Sequence, residues 1–418
     1  MAEQLENQTE GCAAWLQALG AFLIYTTTWG LLSAYGSYQT YYETWLLRST
    51  PSNAIAWVGT IEGVLLIMGG IVTGPIYDRG YIYELLLVGT FLTVLGVMMT
   101  SLSTEYYQIL LAQGFCVGLG SGILYTPSIA LVASRFSKRR SLAICFATSG
   151  TAVGGIIYPI MFIQLQPLVG FAWMTRILGF ITLAELIVAL AIILPYVEPA
   201  RSLMKRTTSN RAAHALPPRP LLELGAFKEP AYTAFCLALF FMWIAYWVPF
   251  FFIPSFGYYM IGASPTMSFY LLVITNAATL PGRLLTVFIS ERFGIPECLL
   301  AFTLASTILL FVWITINNLV TFIVWIVLLA LFMAPLAVLV PAIVPQLCPS
   351  KETVGTRMGM AWTAAALGVL VGAPVSSTLG NLRKQDFWQA QVFIATSMLV
   401  GAGLMGFVLW EIRKKSRV

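Results

Sequence analysis

Four ionisable side chains fall inside long hydrophobic runs of this 418-residue sequence: Glu62, Arg176, Glu185 and Arg283. A charge in hydrocarbon is costly unless it is paired or hydrated, so these positions carry the first clues to chemistry. Arg283 stands eight residues before Glu291, about 12 Å from that end of its helical run. Its planar fork suits bidentate binding of an anion, and the plain alternative is a structural ion pair. Glu62 lies about 24 Å along its own run from Asp78. The single histidine, His214, sits outside every hydrophobic run, so Glu62 and Glu185 are the available proton carriers. A carboxyl simply hydrogen-bonded to Ser or Tyr is the alternative for each. Glu185 and Arg176, nine residues apart, do not share a helix face and read as structural pairing residues. The six cysteines are scattered without ligand spacing, which leaves no metal centre, catalytic triad or cofactor to expect and argues against an enzyme.

Aromatic residues supply a second pattern. Tyr35, Tyr38 and Tyr42 recur at helical spacing, and Trp243, Tyr246, Trp247 and Phe250 do the same in a later run. Such faces suit a large, partly apolar solute, or else plain packing and an interfacial belt. Tyr125 and Asn276 are further polar candidates within apolar runs.

The elements that hold these residues are membrane helices. The chain is 59% hydrophobic and 10% charged, with mean hydropathy +0.84, whereas a soluble domain carries roughly 25% charge. Hydrophobic runs at 13–41, 54–77, 82–102, 106–134, 139–163 and 169–196 are followed by 230–260, 266–290, 295–316, 318–347, 352–380 and 387–411. The expected fold is therefore all-α and polytopic, with about twelve transmembrane helices. Between the sixth and seventh runs lies 197–229, a basic segment containing Pro217-Pro218-Arg219-Pro220, which reads as a solvated linker between bundles 1–196 and 230–418. Most of the 23 Lys and Arg fall in that linker, in the alternate loops on its side and in the C-terminal tail. The excess of positive charge on cytoplasmic loops then places the linker and both termini in the cytoplasm. The net charge of +6 reflects this topology and implies no nucleic-acid partner.

The two halves read as copies. Acid–Arg pairs end the second run (Asp78-Arg79) and the eighth (Glu291-Arg292). A shift of 214 superposes Pro127 on Pro341, and a shift of 217 aligns Arg140 with Arg357 and Gly155 with Gly372. Matches in one order at nearly one shift indicate a duplicated six-helix unit.

Three stretches carry a family resemblance. These are Gly74-Pro75-Ile76-Tyr77-Asp78-Arg79-Gly80; Gly118-Leu119-Gly120-Ser121-Gly122 through Tyr125-Thr126-Pro127 to Arg139-Arg140; and Leu347-Cys348-Pro349 with Gly355-Thr356-Arg357-Met358-Gly359-Met360. With them the chain resembles the major facilitator superfamily over nearly its whole length, and within it the fungal monocarboxylate-transporter-like group. The resemblance implies two pseudo-symmetric six-helix bundles, a central cavity and alternating access. It makes Arg283, Tyr35, Tyr38, Tyr125, Trp247 and Asn276 the expected substrate-binding residues. It makes Asp78, Arg79, Glu291, Arg292, Arg139, Arg140 and Arg357 the expected gating residues, with Glu62 and Glu185 for proton coupling. Animal members of the group carry a Lys where Ser37 aligns and an Asp one turn before the Arg, where this chain has Thr279. Those departures argue against their proton-coupled lactate mechanism. The implied activity is export of an organic anion or a carboxylate-bearing hydrophobic metabolite by a plasma-membrane monomer, with a small organic substrate, protons and the bilayer as partners. The alternatives are proton-coupled uptake of a small monocarboxylate or vitamin-like nutrient, and a non-transporting nutrient sensor.

Overall fold

The computed structural model describes residues 11–78, 80–136, 140–196, 223–348 and 354–415. Ten helices among them are long and apolar enough to cross a membrane. One of these, Leu142–Tyr196, is two spans. The helix Arg140–Ile193 breaks at Gly170, whose φ of 76° a side chain would oppose; we call its two arms, 140–169 and 171–193, α5 and α6. The helix Cys12–Tyr41 (α1) is also long enough to span, but no 18-residue stretch of it is as apolar as those within the ten. Counting it gives twelve long helical segments among the described residues.

The remaining helices are α2 (Ser52–Asp78), α3 (Ile82–Thr100), α8 (Pro265–Phe293), α9 (Ile295–Val312), α10 (Leu319–Ile343), α11 (Val354–Leu379) and α12 (Trp388–Lys415). Two are compound. In α4, Tyr106–Ile109 runs through a π-helical stretch, Leu110–Val117, into Gly118–Arg135. In α7, Pro230–Tyr246 and Val248–Tyr259 meet at Trp247. Pro249 has no N–H to give to the preceding turn, which accounts for a break at that point.

The polarity of α1 follows from where it lies. Gln17, Thr26, Thr27, Thr28, Ser33, Ser37, Gln39 and Thr40 are all buried, so α1 faces other helices rather than lipid. Its threonines satisfy themselves locally: Thr26 donates to the Phe22 carbonyl and Thr28 to that of Ile24, at 2.9 and 2.7 Å. Outer helices invert the pattern, exposing large apolar residues such as Phe91, Phe288 and Val320 as a lipid-facing surface requires.

Within the first half α1 packs along α5 and α6, and α4 against α2 and α3; within the second, α7 packs on α11 and α12, and α10 on α8 and α9. Across the halves α2 meets α11, α5 meets α8, and α1 meets the second part of α7. The glycines reveal the duplication. A methyl at Gly150 would lie 2.2 Å from the Phe22 carbonyl, and one at Gly154 2.3 Å from that of Thr26. In the second half Gly368 approaches the Phe240 carbonyl and Gly372 that of Ile244, both at 2.2 Å. All four pairs are related by a single shift of 218. The expected pairing of Gly155 with Gly372 is thus off by one: Gly154 is the glycine that lets α5 touch α1, while Gly155 faces Asn276 of α8.

Candidate functional site

Where the halves meet, aromatic rings gather around one guanidinium. Trp29 of α1 stacks on Trp247 at the α7 break, with ring centroids 5.9 Å apart and 18° between planes. These two tryptophans are themselves related by the shift of 218, so a pseudo-symmetric pair meets between the bundles. Tyr125 of α4 packs edge-on against Trp29 at 5.3 Å, and Tyr25 against Tyr125 at 5.7 Å. From the second half Tyr246 packs against Trp247, and Trp243 stacks on Tyr246. Arg283 of α8 is buried within electrostatic reach of Tyr25 and Tyr246.

Arg283 donates through one terminal nitrogen to the Thr148 carbonyl of α5, 2.7 Å away and in the other half. Its Nε has no partner, nor have the indole N–H groups of Trp29 and Trp247. No carboxylate forms an ion pair with Arg283 among the described residues. Buried donors are rarely left unpaired, since each costs about 1–3 kcal/mol. Two indole donors in one aromatic cluster, with a third donor on the guanidinium that acts on Tyr25 and Tyr246 of that cluster, form a site suited to an anion with an aromatic body. Asn276 spends its amide on the Leu272 carbonyl at 3.0 Å and, more weakly, on that of Ser33.

The other expected binding residues lie elsewhere. Tyr35 is fully buried between helices, its hydroxyl on the Ile55 carbonyl at 2.7 Å and its ring over Gly59. Tyr38 packs against Phe162 and Phe171 and lines a small cavity with Glu62, Thr100, Gln113 and Thr175. That cavity belongs to the first half alone, so Glu62 points into the first bundle and not between the two. Gln113 lines the same cavity as Glu62 and accepts from Tyr42 at 2.7 Å, and Glu62 Oε2 has no partner. Glu185 accepts a 2.7 Å hydrogen bond from Tyr158, and Arg176 lies over Trp173 and reaches Ser101.

Of the expected gating residues, Arg79 and Arg139 lie outside the described residues, and Asp78 and Arg140 are described only as helix-end positions. Glu291 and Arg292 are exposed at the end of α8, with Arg292 over Phe293. Arg357 is 1% exposed and pairs with neither. It forks onto Glu223 at 2.9 and 3.0 Å, reaches Glu229 at 2.6 Å and donates to the Leu347 carbonyl. Its own carbonyl accepts from Tyr232. The guanidinium holds the Glu223 carboxyl below the usual carboxylate range, through its hydrogen bonds first. Arg357 therefore clips the end of the linker to the start of α11.

The sequence reading missed Trp29, Tyr25 and Glu43. A shift of 218 applied to Trp247 and Trp243 would have found the first two. Glu43 falls two residues past the expected end of the first span, yet it is 3% exposed and hydrogen-bonded across the halves to Ser255.

The Major Facilitator Superfamily model matches residues 17–303. The MFS-type transporter dbaD of Emericella nidulans is 36% identical over 378 residues, covering 90% of this chain and 82% of that protein. The aspyridones efflux protein apdF of the same organism is 33% identical over 398 residues, covering 95% and 77%. Among solved structures, a mutant of the peptide transporter POT in complex with alafosfalin superposes with a TM-score of 0.72 at 13% identity, covering 96% of this chain and 94% of that one. At that identity the likeness shows the fold alone. A family model across most of the chain, relatives that match at least nine-tenths of it and helices apolar enough to span make one conclusion: this chain is a multi-pass membrane protein belonging to the Major Facilitator Superfamily.

Proposed function

We propose that this chain is a secondary carrier that exports an organic anion, or a carboxylate-bearing hydrophobic metabolite of secondary metabolism, by alternating access. The observation that carries the reading is the set of three unpartnered donors, on Trp29, Trp247 and Arg283, gathered at the junction of the halves. A carboxylate there would take the Arg283 fork and an indole N–H while its apolar body replaces the ring stack. The efflux of aspyridones named for one relative supports the direction.

In this reading the moving units are 1–196 and 230–418, joined by 197–229 on the cytoplasmic side of the plasma membrane, with both termini on that side. Asp78-Arg79 and Glu291-Arg292, together with Arg139 and Arg140, form the cytoplasmic latches, and Arg357 anchors the linker. Glu62 carries the coupled proton, because its unpartnered oxygen lies next to a Gln113–Tyr42 hydrogen-bond chain; Glu185, held by Tyr158, is second.

Arg283→Lys tests the site, since it keeps the charge and removes the fork. Flux of an aromatic carboxylate into inverted vesicles should fall about tenfold or more, with the protein still folded. Unchanged flux in the folded variant rules out Arg283 as the anion-binding residue.

A further inference from the structure

A second polar centre joins the halves at the opposite end of the molecule from the linker. There α1 passes into a π-helical turn, Tyr42–Leu46, which contains Glu43. Such turns are uncommon and often mark functional positions. Glu43 accepts hydrogen bonds on Oε1 from Gln39 Nε2, at 3.2 Å, and from Ser52 Oγ. On Oε2 it accepts from Ser255 Oγ of α7 at 3.0 Å. Ser255 Oγ is also 2.8 Å from Thr40 Oγ1, which lies 2.9 Å from the Gly36 carbonyl. One buried carboxylate thus collects three donors from α1, the start of α2 and α7, and the bond to α7 crosses between the bundles.

We propose that Glu43 is a proton-operated seal on this face of the carrier. Ionised, it accepts a charge-assisted bond from Ser255, roughly twice as strong as a neutral one, and draws α7 onto α1. Protonated on Oε2, it reverses the relay: Glu43 donates to Ser255, Ser255 to Thr40, and Thr40 to the Gly36 carbonyl. No hydroxyl loses its partner, so protonation weakens the seal without leaving a buried group unpaired.

Access for the proton is present. A cavity of about 360 Å³ lies between the halves here, lined by Glu43, Trp45 and Arg48 on one side and by Tyr258, Tyr259 and Phe269 on the other. The titratable and charged groups facing Glu43 are Arg48 on its own side of this cavity, Tyr258 and Tyr259 across it, and Tyr35 within electrostatic reach on α1. Arg48 stands over the Trp45 ring and donates to the Thr44 carbonyl. Its cation borders the same cavity as the Glu43 carboxylate.

The inference rests on alternating access, and its test reads opening rather than flux, so its failure leaves the Arg283 site untouched. The full chain carrying Leu272→Cys, a fully buried α8 position packed beside Gly36 and behind the Glu43–Ser255 contact, is placed in vesicles and labelled from this face with an impermeant maleimide. The background of the six native cysteines is subtracted, and each value is normalised to unfolded chain at the same pH to remove the thiol's own titration. Labelling should rise about threefold to tenfold between neutral and mildly acidic pH, the range that separates charged from neutral hydrogen bonds. Glu43→Gln should be labelled at the raised level at both values. Ser255→Ala, which removes the crossing bond and leaves Glu43 titratable, should also be raised at neutral pH. A Glu43→Gln chain that keeps the pH-dependent rise overturns the proposal. Should that variant not fold, low labelling of Ser255→Ala at neutral pH overturns it equally.

Discussion

Arg283 and Glu62 show how differently two intramembrane charges can be housed. Arg283 lies where the bundles meet and holds the opposite half by a single carbonyl, so a ligand that displaced Thr148 would change the contact between the halves as it bound. Glu62 lies inside one bundle, in a cavity it shares with Gln113, the partner of Tyr42. A carboxyl there is suited to taking up and giving up a proton without touching the substrate. Glu62→Gln keeps the shape and most of the hydrogen bonding while removing titration. Substrate flux in that variant should lose its dependence on an imposed pH gradient, and a wild-type dependence would move coupling to Glu185 or Glu43. The type and rough depth of these residues were legible in the sequence, because an ionisable group in an apolar run announces itself. Glu43 was not, because it lies past Tyr41, where the expected run and the α-helix both end, in a π-helical turn that keeps it buried.

Among the elements, α1, α5, α7 and α11 set the geometry, since glycines bring their backbones into contact. Gly154→Val would force a side chain onto the Thr26 carbonyl, and Gly372→Val one onto that of Ile244. Each should cost about 1–3 kcal/mol, read as a lower unfolding temperature in detergent. The glycines in these runs were visible as packing signals, but the helix each one faces was not. Helices buried nearly all round show little periodicity, so spacing does not reveal which side meets which neighbour. The same limit hid Trp29 and misplaced Tyr35. The linker clip makes a separate prediction with a defined sign. Because Arg357 lowers the Glu223 carboxyl, the clip's contribution is present above the ordinary carboxylate pKa of about 4 and is lost as pH falls through the lowered value. Hydrogen exchange at residues 223–229 should therefore be slow at neutral pH and accelerate on acidification beyond the intrinsic rate change. Glu223→Gln should exchange fast throughout.

For the whole molecule, duplication accounts for the architecture. One shift of 218 relates the glycine contacts of α1 with α5 to those of α7 with α11, and it places Trp29 and Trp247 face to face where the copies join. The twelve runs were readable from hydropathy, although α1 is polar because it is shielded from lipid. Orientation rests on the distribution of Lys and Arg, and a reporter inserted near Ser209, with another at the C-terminus, should both read as cytoplasmic. Glycosylation of an acceptor site placed in the linker would reverse that topology.

Recognition of an aromatic anion by the Trp29–Trp247 stack and Arg283 depends on the ligand's charge, so removing that charge is the sharpest test. Aromatic carboxylates of increasing size and their methyl esters are titrated into the purified full chain, with quenching of tryptophan fluorescence as the signal. At least one acid should bind about tenfold or more tightly than its ester, and Arg283→Gln should bring the acid down to the level of the ester. Esters that bind as tightly as acids, no binding by any acid, or an acid preference that survives Arg283→Gln would contradict such recognition.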